Sequence, residues 1–227
     1  CSKVDIDNET LVIEIGPGSG VLTKELTEKS KVLAYEIDKD LENVLLKNVN
    51  SNNLTVIWDD FLNRNISEDI KKFSYNKLFI VANLPYYITT PVIMKIIEEK
   101  LDIEEMIVMV QKEVGDRFSS SPGNKNYGSV TVFLNYYFEI KKLFDVSRSC
   151  FYPKPNVDSV IISLKAKKKK ESVNEEKLFC LIKDSFKFKR KTLKNNLSGY
   201  DLKAIEKLLK DYNFDLSVRA EQIPLEI

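Results

Sequence analysis

Short apolar runs alternate with stretches of helical period through most of this chain, and each early run stops at glycine, an acid or an amide. Leu11–Ile15, Val32–Glu36, Leu54–Trp58, Leu78–Ala82 and Glu105–Val110 are strand-sized, with Val157–Leu164 a late addition. Near-continuous apolar runs of this length are typical of strands covered on both faces. Gly20–Lys29, Leu41–Lys47, Ile66–Phe73 and Pro91–Lys100 read as helices between them, and another runs from the fifth strand through Phe118. Pro91 suits a first helical turn and Thr90 is the expected cap. Ser119–Gly128 is polar and reads as a loop. Such alternation predicts an α/β fold with a doubly wound, mostly parallel sheet. The charge run Lys165–Lys170 reads as a solvated linker. Beyond it the pattern is purely helical, over Glu175–Phe186, Lys191–Leu197 and Leu202–Tyr212. A small all-helical domain is expected there, dividing the chain into residues 1–165 and 166–227.

The composition narrows the chemistry. A chain of 227 residues can bury one good core and still build a small second domain. Its 43% hydrophobic and 30% charged residues suit a soluble globular protein. No apolar run approaches a bilayer span, and the first residues are not a secretory signal, so no membrane partner is expected. Cys1, Cys150 and Cys180 have no metal-like spacing and read as free thiols of a reducing, cytoplasmic compartment. The chain has no histidine, which removes Ser-His and Cys-His catalysis and His-ligated metal sites. No metal is expected. Charge is uneven: Ile161–Tyr200 holds 12 Lys/Arg and 4 Asp/Glu, a surplus of +8 on a chain of net +1, leaving −7 elsewhere. A basic C-terminal part on an acidic body suits a nucleic-acid binder, although a solvated linker and helix face would look the same.

Two loops carry the candidate chemistry. Glu14-Ile15-Gly16-Pro17-Gly18-Ser19-Gly20 joins the first strand to the first helix. Its glycines allow a tight turn and close approach of backbone to a ligand, and the helix adds its first amides. A pyrophosphate-gripping loop would show Gly-x-Gly-x-x-Gly. The spacing here, with an acid before it, suits S-adenosylmethionine, which has an amino-acid end and a ribose instead. Glu36 ends the second strand and can accept from both ribose hydroxyls. Asp60, after the third, can accept from the cofactor's adenine amine. The cofactor set is thus Glu14, Gly16, Gly18, Gly20, Glu36, Ile37, Asp60, Phe61 and Asn83.

Asn83-Leu84-Pro85-Tyr86 follows the fourth strand, where open α/β sheets bind ligands. An adenine amine is a poor nucleophile because its lone pair is delocalised into the ring. The Asn83 side-chain oxygen and the Leu84 carbonyl can accept its protons and push density back to nitrogen. Pro85 stiffens the backbone and Tyr86 offers a face for stacking. No strong base is needed, because the proton turns acidic once the methyl is attached.

Together these stretches resemble the adenine dimethyltransferases of small-subunit ribosomal RNA, whose bacterial members govern kasugamycin sensitivity. The resemblance rests on Glu14–Gly20, Val81–Tyr86, Phe151-Tyr152-Pro153-Lys154-Pro155-Asn156-Val157-Asp158-Ser159 and Lys189–Leu197. It implies a Rossmann-like methyltransferase sheet and dimethylation of adjacent adenosines late in ribosome assembly. It also implies that Phe151 packs on the target base opposite Tyr86, and that Lys189, Arg190, Lys191 and Lys194 contact RNA. The partner would be the assembling small subunit, the protein a monomer. Family members usually begin with an extra segment bearing a Gln-x-Phe-Leu-type motif, so a truncated chain is expected. Competing readings are a large-subunit RNA methyltransferase of the antibiotic-resistance type, a DNA adenine methyltransferase, a non-enzymatic assembly factor and a nicotinamide oxidoreductase. The DNA enzymes usually carry two prolines in the catalytic loop, and a dehydrogenase gives no reason for Asn83–Tyr86.

Overall fold

A computed structural model describes residues 6–167 and 173–227; Cys1 and the lysines 168–170 of the expected linker lie outside the described residues. Seven strands form one sheet: β1 (Thr10–Ile15), β2 (Lys31–Tyr35), β3 (Leu54–Ile57), β4 (Lys77–Asn83), β5 (Glu105–Gln111), β6 (Phe138–Val146) and β7 (Ser159–Ala166). Their order is β3-β2-β1-β4-β5-β7-β6. β1 to β5 pair in parallel, and β7 runs antiparallel to β5. The helices are α1 (Val21–Thr27), α2 (Glu42–Asn48), α3 (Ile66–Ile70), α4 (Thr89–Glu98), α5 (Lys112–Phe118), α6 (Ser129–Tyr137), α7 (Glu175–Ser185), α8 (Leu193–Asn196) and α9 (Leu202–Lys210).

The alternation of side chains on each strand fills two faces. Val12, Val32, Ala34 and Phe79 share one face and pack with Leu26 of α1. Leu11, Ile13, Leu33 and Ile80 point the other way and are fully buried. Tyr35, on that second face, meets Phe61 edge-on at 5.2 Å. Val12, Phe79, Val81, Ile107, Met109 and Ile161, all on the first face, line an apolar cavity of about 340 Å³.

The chain forms two compact units, residues up to Lys112 with Lys141–Ala166, and Glu113–Ile140 with Lys167–Ile227. A single cut at 165 therefore misplaces residues 113–140. The cause is aromatic packing: Phe133 of α6 lies 4.6 Å from Phe179 of α7, and Tyr136 lies 5.5 Å from it. Tyr127, Val132 and Ile182 form the shared core. Leu193, Leu197, Leu209 and Ala220 form the second core of this unit. Asn174 and Asp201 cap α7 and α9. Thr90, the expected cap of α4, lies inside that helix instead. The turn Tyr86–Ile88 feeds straight into α4, and no side chain caps it. The expected linker also starts late, since Lys165 and Ala166 still belong to β7. No helix among the described residues is long and apolar enough to cross a membrane.

Candidate active site

β1 and β4 are neighbours in register, Ile15 opposite Ala82, so the loops that follow them emerge side by side. Gly16, Gly18 and Gly20 all have positive φ, at 73°, 58° and 87°. Only glycine adopts this region without strain. Their surroundings differ. A Cβ on Gly16 would lie 3.6 Å from the Asn83 carbonyl oxygen, whereas one on Gly18 would meet nothing within 4 Å. One on Gly20 would stand 2.6 Å from Val49 Cγ2 and 2.7 Å from Leu45 Cδ1. Gly16 is set by its backbone angle, with room for an ordinary contact to the Asn83 loop, Gly18 borders open space, and Gly20 seats α1 against α2.

The acids are arranged around this loop. Glu36 is buried, and both its oxygens are oriented by backbone: Gly18 N–H donates to Oε2 at 3.1 Å and Asp38 N–H to Oε1 at 3.0 Å. Its remaining lone pairs are left for hydroxyl donors. Ile37 beside it is 69% exposed, an apolar surface free to cover a ring. Asp60 caps the turn Phe61–Asn63, with Oδ1 accepting from Leu62 N–H at 2.9 Å. Phe61 is buried against Tyr35 rather than open to a ligand.

Glu14 is 2% exposed, and neither its Oε2 nor Thr23 Oγ1 completes a hydrogen bond. Burial, with the charge of Glu36 adding to it, pushes the Glu14 carboxyl up to about 7. An orphaned buried oxygen beside a glycine loop is an acceptor suited to a ligand's donor. Glu14 suits the ammonium end of S-adenosylmethionine, and the Glu36 carboxylate suits its ribose.

Two residues that support this site were not found in the sequence. Arg64 grips Asp69 with both ends of its guanidinium, Nη2 to Oδ1 at 2.6 Å and Nε to Oδ2 at 3.1 Å. Arg64 Nη1 also reaches Asp59 Oδ2 at 3.5 Å, and Tyr35 Oη donates to Asp69. This bridge pins the turn that carries Asp60. The Arg64 guanidinium holds the Asp69 carboxyl below the usual carboxylate range, against the effect of its burial.

Asn83 ends β4 and is exposed, Leu84 is buried and anchors the loop, and Pro85 is exposed. Ile88 N–H closes the turn on the Pro85 carbonyl at 3.1 Å. The backbone of Tyr86 opens that turn, while its ring lies outside the described residues. Phe151 sits half-buried in a loop entering β7. Arg148 braces that loop, its N–H donating to Asp158 Oδ1 at 2.9 Å and its Nη1 to the Asn156 carbonyl at 3.0 Å. Asn83 pairs with Met109 and Gln111 with Ser159, so both loops leave the same edge of the sheet. The strands β4 and β7 themselves lie two spacings apart, about 10 Å.

In the second unit, Lys189, Arg190, Lys191 and Lys194 are all exposed. Asn196 holds the turn before α8, donating to the carbonyls of Ser185 at 2.6 Å and Phe188 at 3.3 Å. It also accepts from Phe188 N–H at 3.2 Å.

A sheet of this order, with a glycine loop after β1 and oriented acids after β2 and β3, defines a Rossmann-like methyltransferase. The family model for ribosomal RNA adenine dimethylase matches residues 1–225. The chain belongs to that family. It is 41% identical over 226 residues to the ribosomal RNA small subunit methyltransferase A of Mycoplasma mobile, covering 99% of this chain and 86% of the relative. It is 42% identical over 221 residues to the enzyme of the same name from Aster yellows witches'-broom phytoplasma, covering 95% and 82%. Among solved structures, a Plasmodium falciparum dimethyladenosine transferase superposes with a TM-score of 0.80 at 26% identity, covering 97% of this chain and 88% of that one. The 23S rRNA methyltransferase ErmE superposes at 0.78 with 25% identity, covering 97% and 91%.

Proposed function

We propose that this chain dimethylates the exocyclic amines of adjacent adenosines in small-subunit ribosomal RNA, with S-adenosylmethionine as donor. The observation that carries this reading is the register of β1 with β4, Ile15 opposite Ala82, which sets the glycine loop beside Asn83. When bound, S-adenosylmethionine supplies an electrophilic methyl group. Glu14 holds its amino-acid end and Glu36 its ribose, with Asp60 and Ile37 toward its adenine. The Asn83 side chain and the Leu84 carbonyl accept the target amine's protons, concentrating density on nitrogen as the methyl arrives. Pro85 keeps these acceptors in place, and Tyr86 and Phe151 are the two walls for the base. The amine proton leaves to solvent.

Small-subunit RNA is favoured over large-subunit RNA by the relatives. The two small-subunit enzymes are 41% and 42% identical to this chain, against 25% for ErmE. Lys189, Arg190, Lys191 and Lys194 bind the RNA backbone. The protein works as a monomer, in the cytoplasm, on the assembling small subunit. A purely non-enzymatic role would leave the oriented Glu36 and the orphaned Glu14 without purpose.

The test incubates the protein with labelled methyl donor and small subunits lacking the modification. Label is expected in dimethyladenosine; label confined to large-subunit RNA or to DNA would refute the reading. Asn83→Ala should reduce turnover by at least about 100-fold while cofactor affinity stays within a few-fold, as loss of one preorganised acceptor implies. Unchanged turnover would remove Asn83 from its role.

A further inference from the structure

Phe186 and Phe188 lie two residues apart and have opposite fates. Phe186 packs against both cores of the second unit. Phe188 belongs to neither and is 56% exposed. Its chain neighbours are Lys187, Lys189, Arg190 and Lys191. Lys187 Nζ stands 5.7 Å from the centre of its ring.

The ring is presented by a held backbone. The Phe188 N–H and carbonyl are both engaged by the Asn196 side chain, and Lys191 N–H closes the turn on the Phe188 carbonyl at 2.9 Å. An exposed apolar ring among four cations is a poor match for an apolar protein surface, which would strip water from those charges without pairing them. It suits a ligand with a flat π-face that carries its own phosphates. An unpaired base has both, whereas a base within a duplex has its faces covered by its neighbours.

We propose that Phe188 is a stacking platform for one unpaired base of the RNA, with Lys189, Arg190 and Lys191 on the phosphates beside it. This rests on the reading of that turn as an RNA-binding surface, and adds that part of the bound RNA is single-stranded. The contact lies in the second unit and is separate from the walls assigned to the methylated base.

The test titrates in vitro transcribed small-subunit RNA, an oligoadenosine strand and a blunt duplex against wild type and variants over a range of salt. Phe188→Ala should weaken binding of the two RNAs with unpaired bases by about tenfold to a hundredfold. It should leave the slope of log K against log salt unchanged, because the ring neutralises no phosphate. Duplex binding should hardly move. Phe188→Tyr and Phe188→Trp should bind like wild type, and Phe188→Leu like Phe188→Ala. Lys189→Gln, by contrast, should lower the salt slope by about 0.7 to 0.9. Cofactor affinity serves as the folding control and should be equal throughout.

Equal affinity of Phe188→Ala and wild type for every RNA overturns the proposal. So does full rescue by Phe188→Leu, which would make the contact merely apolar, or a loss on the duplex as large as on the two RNAs with unpaired bases, which would tie the ring to no unpaired base. If wild type binds RNA in this way but transfers no methyl to it, the functional reading fails and the stacking inference stands.

Discussion

Ionised, Glu14 places a charge where water does not reach. Its carboxyl is raised from 4.5 to about 7, so the folded chain keeps a proton that the unfolded chain gives up. Stability therefore falls as pH climbs from about 4.5, by up to about 3 kcal/mol once pH passes 7. Glu14→Gln should be more stable than wild type at pH 8 by about 2–3 kcal/mol, and the two should converge near pH 5. The same variant should bind S-adenosylmethionine at least about tenfold more weakly, because the amide oxygen accepts from an ammonium without the charge that strengthens the bond. Denaturant melts at both pH values, with calorimetric titration of cofactor, would check this; a stability gap equal at pH 5 and 8 would remove the proton from the account. Asp69 has the opposite sign. Its lowered pKa contributes stability that is complete above the ordinary carboxylate range and fades as acid is added. Glu14 was legible in the sequence because it abuts the glycines. Asp69 and Arg64 were not, because a side-chain bridge between a turn and a helix leaves no period or motif.

The glycine loop separates ligand binding from packing over a few residues. Gly20→Ala would force a methyl onto Leu45 and Val49 at positive φ, and should cost about 2–4 kcal/mol of stability. Gly18→Ala meets open space and should cost about 1 kcal/mol, yet weaken cofactor binding more than any loss of stability explains. Thermal melts paired with cofactor titrations distinguish the two, and similar profiles for both variants would refute the division. The sequence spacing treated these glycines alike, since it carries no record of Leu45 or Val49 behind one of them. The strands β1 to β5 were legible to within a residue or two, because each apolar run ends at a polar or glycine punctuation. α6 and β6 were not assigned from sequence. Residues 129–146 mix β-branched, aromatic and polar side chains with no glycine or proline, so helix and strand compete without a boundary mark.

At the scale of the molecule, the basic turn of the second unit predicts strong salt dependence. Replacing Lys189, Arg190, Lys191 and Lys194 together with glutamine should lower the slope of log K against log salt by about 3. A slope unchanged in filter-binding measurements would show that those cations face no phosphate. The excess of positive charge toward the C-terminus was visible in the sequence, as was the helical character of that part. The membership of residues 113–140 was not, because the contact of Phe133 with Phe179 joins distant segments and has no local signature. That split unit also has a history during synthesis. Phe133 and Tyr136 leave the ribosome about 45 residues before Phe179, the ring both pack against. At about 5–20 residues per second, α6 waits roughly 2–9 seconds for its partner. Through that interval the nascent chain carries sticky rings with nowhere to bury them, and a chaperone that greets emerging polypeptides has its natural target there.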